Sequence, residues 1–319
     1  MSLAYINKST INGTVHIPPS KSAAHRALIC SFLSGGGNVS PMIDSKDMQA
    51  TLGAISALKK GLGVIDCIES GSTLRFMIPV AAALGRNVTF VGEGKLPQRP
   101  IGEYLRLFKE HNVECKTDGG LPLEISGKLT SGKYEIAGNI SSQYITGLLL
   151  ALPILDGDSE IILTTPLESK PYVDMTVKIM SDYGVNVVET QKGYFIKGNQ
   201  SYIQRDYVVE GDWSQAAFFM VAGALFGDVT LTGLDFNSSQ GDKKIVDILR
   251  QFSAKVEIKN DAVTVHKSLL NGIETDARDI PDMVPSLAVL GAYASGITVI
   301  KGAERLRFKE SDRIESVVY

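Results

Sequence analysis

The sequence predicts an α/β protein of two domains, assembled from repeated helix, strand, helix and hairpin units. Three observations carry that reading. Five segments open alike at positions 20, 71, 141, 212 and 281, at intervals of 51, 70, 71 and 69 residues. Each leads into a β-type run, and most continue through an amphipathic helix into a turn-centred hairpin. The chain has 319 residues, more than one ordinary core holds.

The openings are SKSAAHRALICSFL from Ser20, GSTLRFMIPVAAAL from Gly71, SSQYITGLLLALPI from Ser141, DWSQAAFFMVAGAL from Asp212 and PDMVPSLAVLGAYA from Pro281. Ser, Gly, Asp and Pro suit a helix start. The Ala, Leu, Met and Phe that follow occupy nearly every face, so these helices are expected to be buried. The runs NVTFVG, SEIILT, DVTLTG and ITVIKG come next and read as strands. MQATLGAISALKK, RPIGEYLRLFKEH, YVDMTVKIMSDYG and KKIVDILRQFSAK are helices with a polar face. VECKTDGGLPLEI, VNVVETQKGYFIK and AKVEIKNDAVTVH carry Asp-Gly-Gly, Lys-Gly and Asn-Asp at their centres and read as hairpins. The first unit is about 20 residues short of the 70-residue spacing, with no room for a hairpin between Lys60 and Val64. The fifth stops at Tyr319 within its second helix, so the pattern expects residues outside this sequence at both places, or a fragment.

Hydrophobic residues make up 44% and charged residues 21%, as in a globular protein. A net charge of −3 argues against a nucleic-acid partner, although a local anion pocket is invisible in the total. No run of apolar residues is long enough to span a membrane. Cys30, Cys67 and Cys115 are odd in number and scattered, which points to reduced thiols and a cytoplasmic location. His16, His25, His111 and His266 lack metal-ligand spacing, so no metal is expected.

The polar groups worth arguing about lie at helix starts, where free N–H groups and the positive dipole end favour anions. Lys21, Ser22 and Arg26 fall within the first turns of one helix; they suit either an anion or an ordinary exposed helix start. Gly71, Ser72 and Arg75 repeat the theme, with the glycine allowing close backbone approach. Arg99 precedes a proline helix start. Ser141, Ser142 and Gln143 stack hydrogen-bonding groups that could equally be a capping cluster. Ser169, Lys170 and Tyr172 follow. Asp282 opens one helix of the last unit, and Lys309, Glu310, Ser311, Asp312 and Arg313 open another; such a charge run also suits a solvated face. The recurrence at equivalent positions favours function over any single window.

In order, PSKSAAHRAL, ESGSTLRF, QRPIG, GNISSQYITGLL, SKPYVDMT, VEGDWSQAAFF, DIPDMVPSLAVL and RFKESDRI resemble the 5-enolpyruvylshikimate-3-phosphate synthase family over nearly the whole chain. The resemblance implies a two-domain inside-out α/β barrel, three repeats to a domain with sheets around buried helices, whose C-terminal portion is incomplete here. The expected domains are 1–14 plus 212–319, and 15–211. The implied reaction moves the enolpyruvyl group of phosphoenolpyruvate to the 5-hydroxyl of shikimate 3-phosphate and releases phosphate, a step toward chorismate and the aromatic amino acids. No cofactor is implied, and a monomer is expected.

By matched position, Lys21 touches both substrates and is a proton-transfer residue, Asp282 is the base on the 5-hydroxyl, and Glu310 is the second acid–base group. Ser22, Arg26, Ser141, Ser142, Gln143, Ser169, Tyr172 and Lys309 are implied to hold shikimate 3-phosphate. Gly71, Arg99 and Arg313 are implied to hold phosphoenolpyruvate, with Gln143 between the substrates. Two positions depart from the pattern. Glu69 stands where many members have Asn and is expected to repel phosphoenolpyruvate unless it is paired, with Arg75 as the candidate partner; Arg305 stands where a substrate-binding Asn is common. The alternatives are a non-catalytic anion-binding fragment and the UDP-N-acetylglucosamine enolpyruvyl transferase. The latter has Lys-Asn where this chain has Lys21-Ser22, and a cysteine-bearing loop near KLPQRP, which here has none.

Overall fold

The computed structural model describes Tyr5 and residues 10–309 and 311–318. The chain forms two compact units. The first comprises Met1–Pro18, Glu210–Glu304 and Arg313–Tyr319; the second comprises Pro19–Val209 and Arg305–Asp312. The second unit thus recruits the short segment 305–312 from far along the chain, which the division at residue 211 does not anticipate.

The first strand, β1 (Gly13–His16), belongs to the first unit. The chain then builds the second: α1 (Lys21–Leu33), β2 (Val39–Ser40), α2 (Lys46–Lys60), β3 (Val64–Asp66), α3 (Gly71–Ala83), β4 (Val88–Val91), α4 (Gly102–Glu110), β5 (Val113–Lys116), β6 (Leu123–Gly127), β7 (Lys133–Ile136), α5 (Ser142–Ala151), β8 (Ser159–Leu163), α6 (Lys170–Asp182), β9 (Val187–Thr190), β10 (Gly193–Ile196) and β11 (Tyr207–Val208). Ser20, Ser70 and Ser141 cap α1, α3 and α5, each hydroxyl accepting from a backbone N–H two or three residues on. These three helices form the interior; nearly all of α3 is buried. The amphipathic helices α2, α4 and α6 bury one face each.

Two sheets repeat one pattern. In β3-β4-β6-β5 and in β7-β8-β10-β9, a parallel pair adjoins an antiparallel hairpin. The parallel partner precedes the buried helix, so β3-α3-β4 and β7-α5-β8 are crossover units. The sequence reading missed these leading strands: they are three or four residues long and alternate in exposure, too little pattern to stand out. In the first repeat α2 ends at Lys60, Gly61 turns the chain at φ 68°, and β3 starts at Val64. No hairpin intervenes, and β2 pairs with β11 alone.

The first unit resumes with α7 (Trp213–Phe226), β12 (Val229–Thr232), α8 (Ile245–Gln251), β13 (Lys255–Lys259), β14 (Ala262–His266), β15 (Glu274–Asp276), α9 (Val284–Tyr293), β16 (Val299–Lys301) and α10 (Arg313–Val318). Its sheet β1-β12-β14-β13 repeats the pattern, with β1 parallel to β12. The β13–β14 turn places Asn260 and Asp261 at φ 48° and 58°, as a two-residue hairpin of the primed kind requires. β15 and β16 form a parallel pair around α9. The architecture is mixed α/β, and among the described residues the sheets are open, of four or two strands.

Candidate active site

In the second unit the polar residues of the helix starts fall into three groups. At the mouth of α1, Lys21 Nζ meets Asp47 Oδ2 of α2 at 2.5 Å, both partly exposed. Burial raises the Asp47 pKa, but the hydrogen bond and charge of Lys21, a hydrogen bond from Ser70 and the nearby His25 outweigh it and hold the carboxyl below the usual range. Sequence spacing could not indicate Asp47, because α1 and α2 meet only through packing.

At the start of α3, Gly71 lies against two arginines. A Cβ there would stand 2.2 Å from Arg99 Nη1 and 3.0 Å from Arg75 Nη1. Both arginines are buried. Arg75 Nη1 donates to Gln143 Oε1 at 2.9 Å, and Gln143 Nε2 donates to Ser72 Oγ at 3.0 Å. Arg75 Nη2 donates to Pro100 O at 2.9 Å, and its guanidinium lies 5.4 Å from the Tyr144 ring centroid. The Nε of Arg75 is buried without a hydrogen-bond partner. The anchor of this arginine has a simple cause. Pro79, inside α3, has no N–H for the carbonyl of Arg75 four residues back, and the Tyr104 hydroxyl bonds that carbonyl at 2.6 Å instead. The expected Glu69–Arg75 pair is not formed: Arg75 donates to Gln143 and Pro100, while the exposed Glu69 carboxylate lies beside Gly94.

The third group surrounds the start of α6. Ser169 is buried at φ 56° and its Oγ accepts from Arg305 Nη2 at 3.0 Å. Arg305 also pairs with Glu168 at 2.5 Å, so the position where Asn is common is occupied by a guanidinium on the serine. Arg26, by contrast, turns inward and is 3% exposed. It donates to Thr176 Oγ1 at 2.8 Å, Ser22 O at 2.6 Å and Tyr172 O at 3.0 Å, and stands 5.1 Å from the Phe76 ring centroid. Burial lowers its pKa to about 10. Arg26 therefore ties α1 to α6, and Ser22 and Tyr172 meet it through their carbonyls. Ser141 caps α5, and Ser142 is its buried first residue. Lys309 lies in this unit, partly exposed; Glu310 lies outside the described residues.

In the first unit, Asp282 sits in a single 3-10 turn, Pro281–Met283, ahead of α9, and Arg313 opens α10. Arg313 Nη1 donates to Asp282 Oδ1 at 2.6 Å. Among the described residues no group of three or more His, Cys, Asp and Glu is placed to hold a metal, and no helix is long and apolar enough to cross a membrane. The geometry thus offers, in the second unit, a pair of buried guanidinium groups beside a bare backbone, with an amide, hydroxyls and an ammonium at neighbouring helix starts. Guanidinium groups and free N–H groups at helix starts favour anions. The first unit offers a carboxylate held by an arginine. Sequence reasoning missed Asp47; it singled out Arg75 beside Gly71 but gave no reason to aim it at Gln143.

A family model described as EPSP synthase (3-phosphoshikimate 1-carboxyvinyltransferase) matches residues 6–63 and 60–319. The two matches meet where the first repeat lacks its hairpin. The chain is 45% identical to a 3-phosphoshikimate 1-carboxyvinyltransferase of Clostridium novyi, covering 97% of this chain and 78% of that protein. It is 40% identical to that of Clostridioides difficile, over 98% of this chain and 79% of the other. Among solved structures, an EPSP synthase from Acinetobacter baumannii superposes with a TM-score of 0.80 at 23% identity, over 98% of this chain and 78% of that one. The enolpyruvyl transferase NikO from Streptomyces tendae gives 0.67 at 16% identity, over 91% and 75%. At those identities the two structures speak for the fold.

Proposed function

The chain belongs to the EPSP synthase family, and from that premise we propose that it transfers the enolpyruvyl group of phosphoenolpyruvate to the 5-hydroxyl of shikimate 3-phosphate, releasing phosphate. The observation that carries the reading to this chain's own residues is the buried pair Arg75 and Arg99 against Gly71, with Gln143 bridging to Ser72. A carboxylate or phosphate placed there meets two permanent cations and the helix start of α3.

On this reading Gly71, Arg99, Gln143 and Arg313 hold phosphoenolpyruvate, and Arg75 joins them by fixing Gln143. Ser22, Ser141, Ser142, Gln143, Ser169, Tyr172 and Lys309 hold shikimate 3-phosphate; Arg305, on Ser169, offers that ligand another cation. Arg26 serves shikimate 3-phosphate by fixing the carbonyls of Ser22 and Tyr172. Asp282 takes the proton of the 5-hydroxyl as its oxygen attacks C2 of phosphoenolpyruvate. A proton delivered to the methylene carbon completes a tetrahedral ketal. Loss of that proton and departure of phosphate then leave the enol ether. Lys21 is the proton-transfer group in this scheme, and Glu310 the second. The positively charged groups serve because charge concentrates on the departing phosphate.

The arrangement of buried α1, α3 and α5 beside open sheets supports the family's inside-out α/β barrel as the description of the second unit. The scattered thiols support a cytoplasmic setting, and a monomer suffices for the chemistry. The test is product identity. Incubation with both substrates should yield a vinyl ether on the C5 oxygen, visible by proton NMR as two new methylene signals. Consumption of phosphoenolpyruvate without that ether would reject the proposal.

A further inference from the structure

A buried chain of side chains links three helices behind Lys21. His25 of α1, Thr51 of α2, and Thr73 and Ser70 at the start of α3 are each no more than 1% exposed. His25 Nδ1 lies 2.7 Å from Thr51 Oγ1, Thr51 Oγ1 lies 2.7 Å from Thr73 Oγ1, and Thr73 Oγ1 lies 2.8 Å from Ser70 Oγ. The Ser70 hydroxyl also helps to hold down the pKa of the Asp47 carboxyl, and Asp47 holds Lys21.

The direction of every bond follows from the Thr73–Ser70 contact, in which Thr73 Oγ1 donates to Ser70 Oγ. Ser70 keeps its own proton for the Asp47 carboxylate, which only accepts. Thr73 has one proton, so Thr51 donates to Thr73. His25 Nδ1–H must then donate to Thr51. Its other nitrogen, Nε2, is buried without a hydrogen-bond partner, as suits a neutral ring protonated on Nδ1 alone. All the donors point one way, toward Asp47, and such chains polarise cooperatively.

We propose that His25, Thr51, Thr73 and Ser70 form a one-way hydrogen-bonded chain that orients the Asp47 carboxylate against Lys21, making these five residues positioning residues for the Lys21 ammonium. The kinetic part of this inference rests on the proton-transfer role assigned to Lys21 above. The chain itself does not.

The test compares Thr73→Val, which keeps the shape and removes the hydroxyl, with Thr73→Ser, which keeps the hydroxyl and removes a methyl. Two readouts are taken on the full chain. The first is the titration of the Asp47 side-chain carboxyl carbon by NMR, which needs no turnover. Its midpoint should rise in Thr73→Val and stay at the wild-type value in Thr73→Ser. The second is kinetics: Thr73→Val should lower kcat about tenfold with KM values within about twofold, the loss expected of a misplaced group, and Thr73→Ser should recover most of it. An Asp47 midpoint identical in all three proteins overturns the chain. Equal loss of kcat in both variants also overturns it, because packing rather than the hydroxyl would then matter. An Asp47 shift with unchanged kcat would keep the chain and instead remove Lys21 from the chemistry. Asp47→Asn provides a second variant that disturbs no core packing and should reproduce the kcat loss.

Discussion

Arg313 Nη1 donates to Asp282 Oδ1 across 2.6 Å, so the carboxylate assigned as base and a cation assigned to phosphoenolpyruvate already touch within one unit. The arginine fixes one oxygen of Asp282. Asp282→Asn keeps an oxygen for Arg313 and removes the basic site. Turnover should fall by about 10²- to 10⁴-fold, the range for a lost general base. Binding of shikimate 3-phosphate, measured by calorimetry, should stay within about tenfold of wild type. Unchanged turnover would remove Asp282 from the mechanism.

Gly71 is glycine because guanidinium groups occupy the space a side chain would need, the nearer lying 2.2 Å from where a Cβ would stand. The obstacle is the far end of flexible side chains, so Gly71→Ala should fold. It should push Arg99 and Arg75 aside and raise KM for phosphoenolpyruvate about tenfold, a loss of about 1.4 kcal/mol. Affinity for shikimate 3-phosphate should change little. Steady-state kinetics with each substrate varied separately checks this, and parallel losses for both would contradict it.

Arg26 has three donated bonds inside the second unit and almost no exposure. Arg26→Ala should therefore cost stability as well as function. Truncation leaves Thr176 and two carbonyls short of a charged donor, a loss of about 3 kcal/mol by urea unfolding. Shikimate 3-phosphate should also weaken, because Ser22 and Tyr172 lose the anchor of their carbonyls. Unchanged affinity in a folded Arg26→Ala protein would mean that Arg26 serves only the scaffold.

His25 provides a pH signature. Burial is the main cause that lowers its pKa, to about 3; Asp47 opposes that, and Lys21 and Arg26 add to it. In the unfolded chain the ring binds a proton below about 6.5. The unfolded state therefore binds more protons throughout the interval, and the contribution of His25, complete above about 6.5, is lost as pH falls toward 3. The slope reaches about 1.4 kcal/mol per pH unit. His25→Asn, which retains a donor for Thr51 but does not titrate, should flatten the decline in urea stability between pH 6.5 and 5. Identical slopes in the two proteins would exclude a neutral buried His25.

Local signals made the repeat legible. Ser20, Ser70, Ser141 and Asp212 cap helices through contacts only two or three residues away, so the sequence carries them openly. The all-round apolar character of the α3 and α5 segments announced their burial in the same way. Relationships between helices were not legible. Asp47 reaches Lys21 only because α2 packs on α1, and Tyr104 reaches the carbonyl freed by Pro79 only because α4 lies near α3. Arg26 illustrates the limit from the other side: its position one turn after Ser22 suggested a ligand, whereas packing turns it toward Thr176 and Tyr172. The short strands before α3 and α5 escaped notice because three or four residues of mixed exposure carry little periodicity.

Phosphate release, measured with phosphoenolpyruvate alone, with shikimate 3-phosphate alone and with both, separates enolpyruvyl transfer from simple hydrolysis. Enolpyruvyl transfer predicts release only when both are present, one phosphate for each phosphoenolpyruvate consumed, and its loss in Asp282→Asn. Release from either compound alone, or none from the pair, would contradict the account.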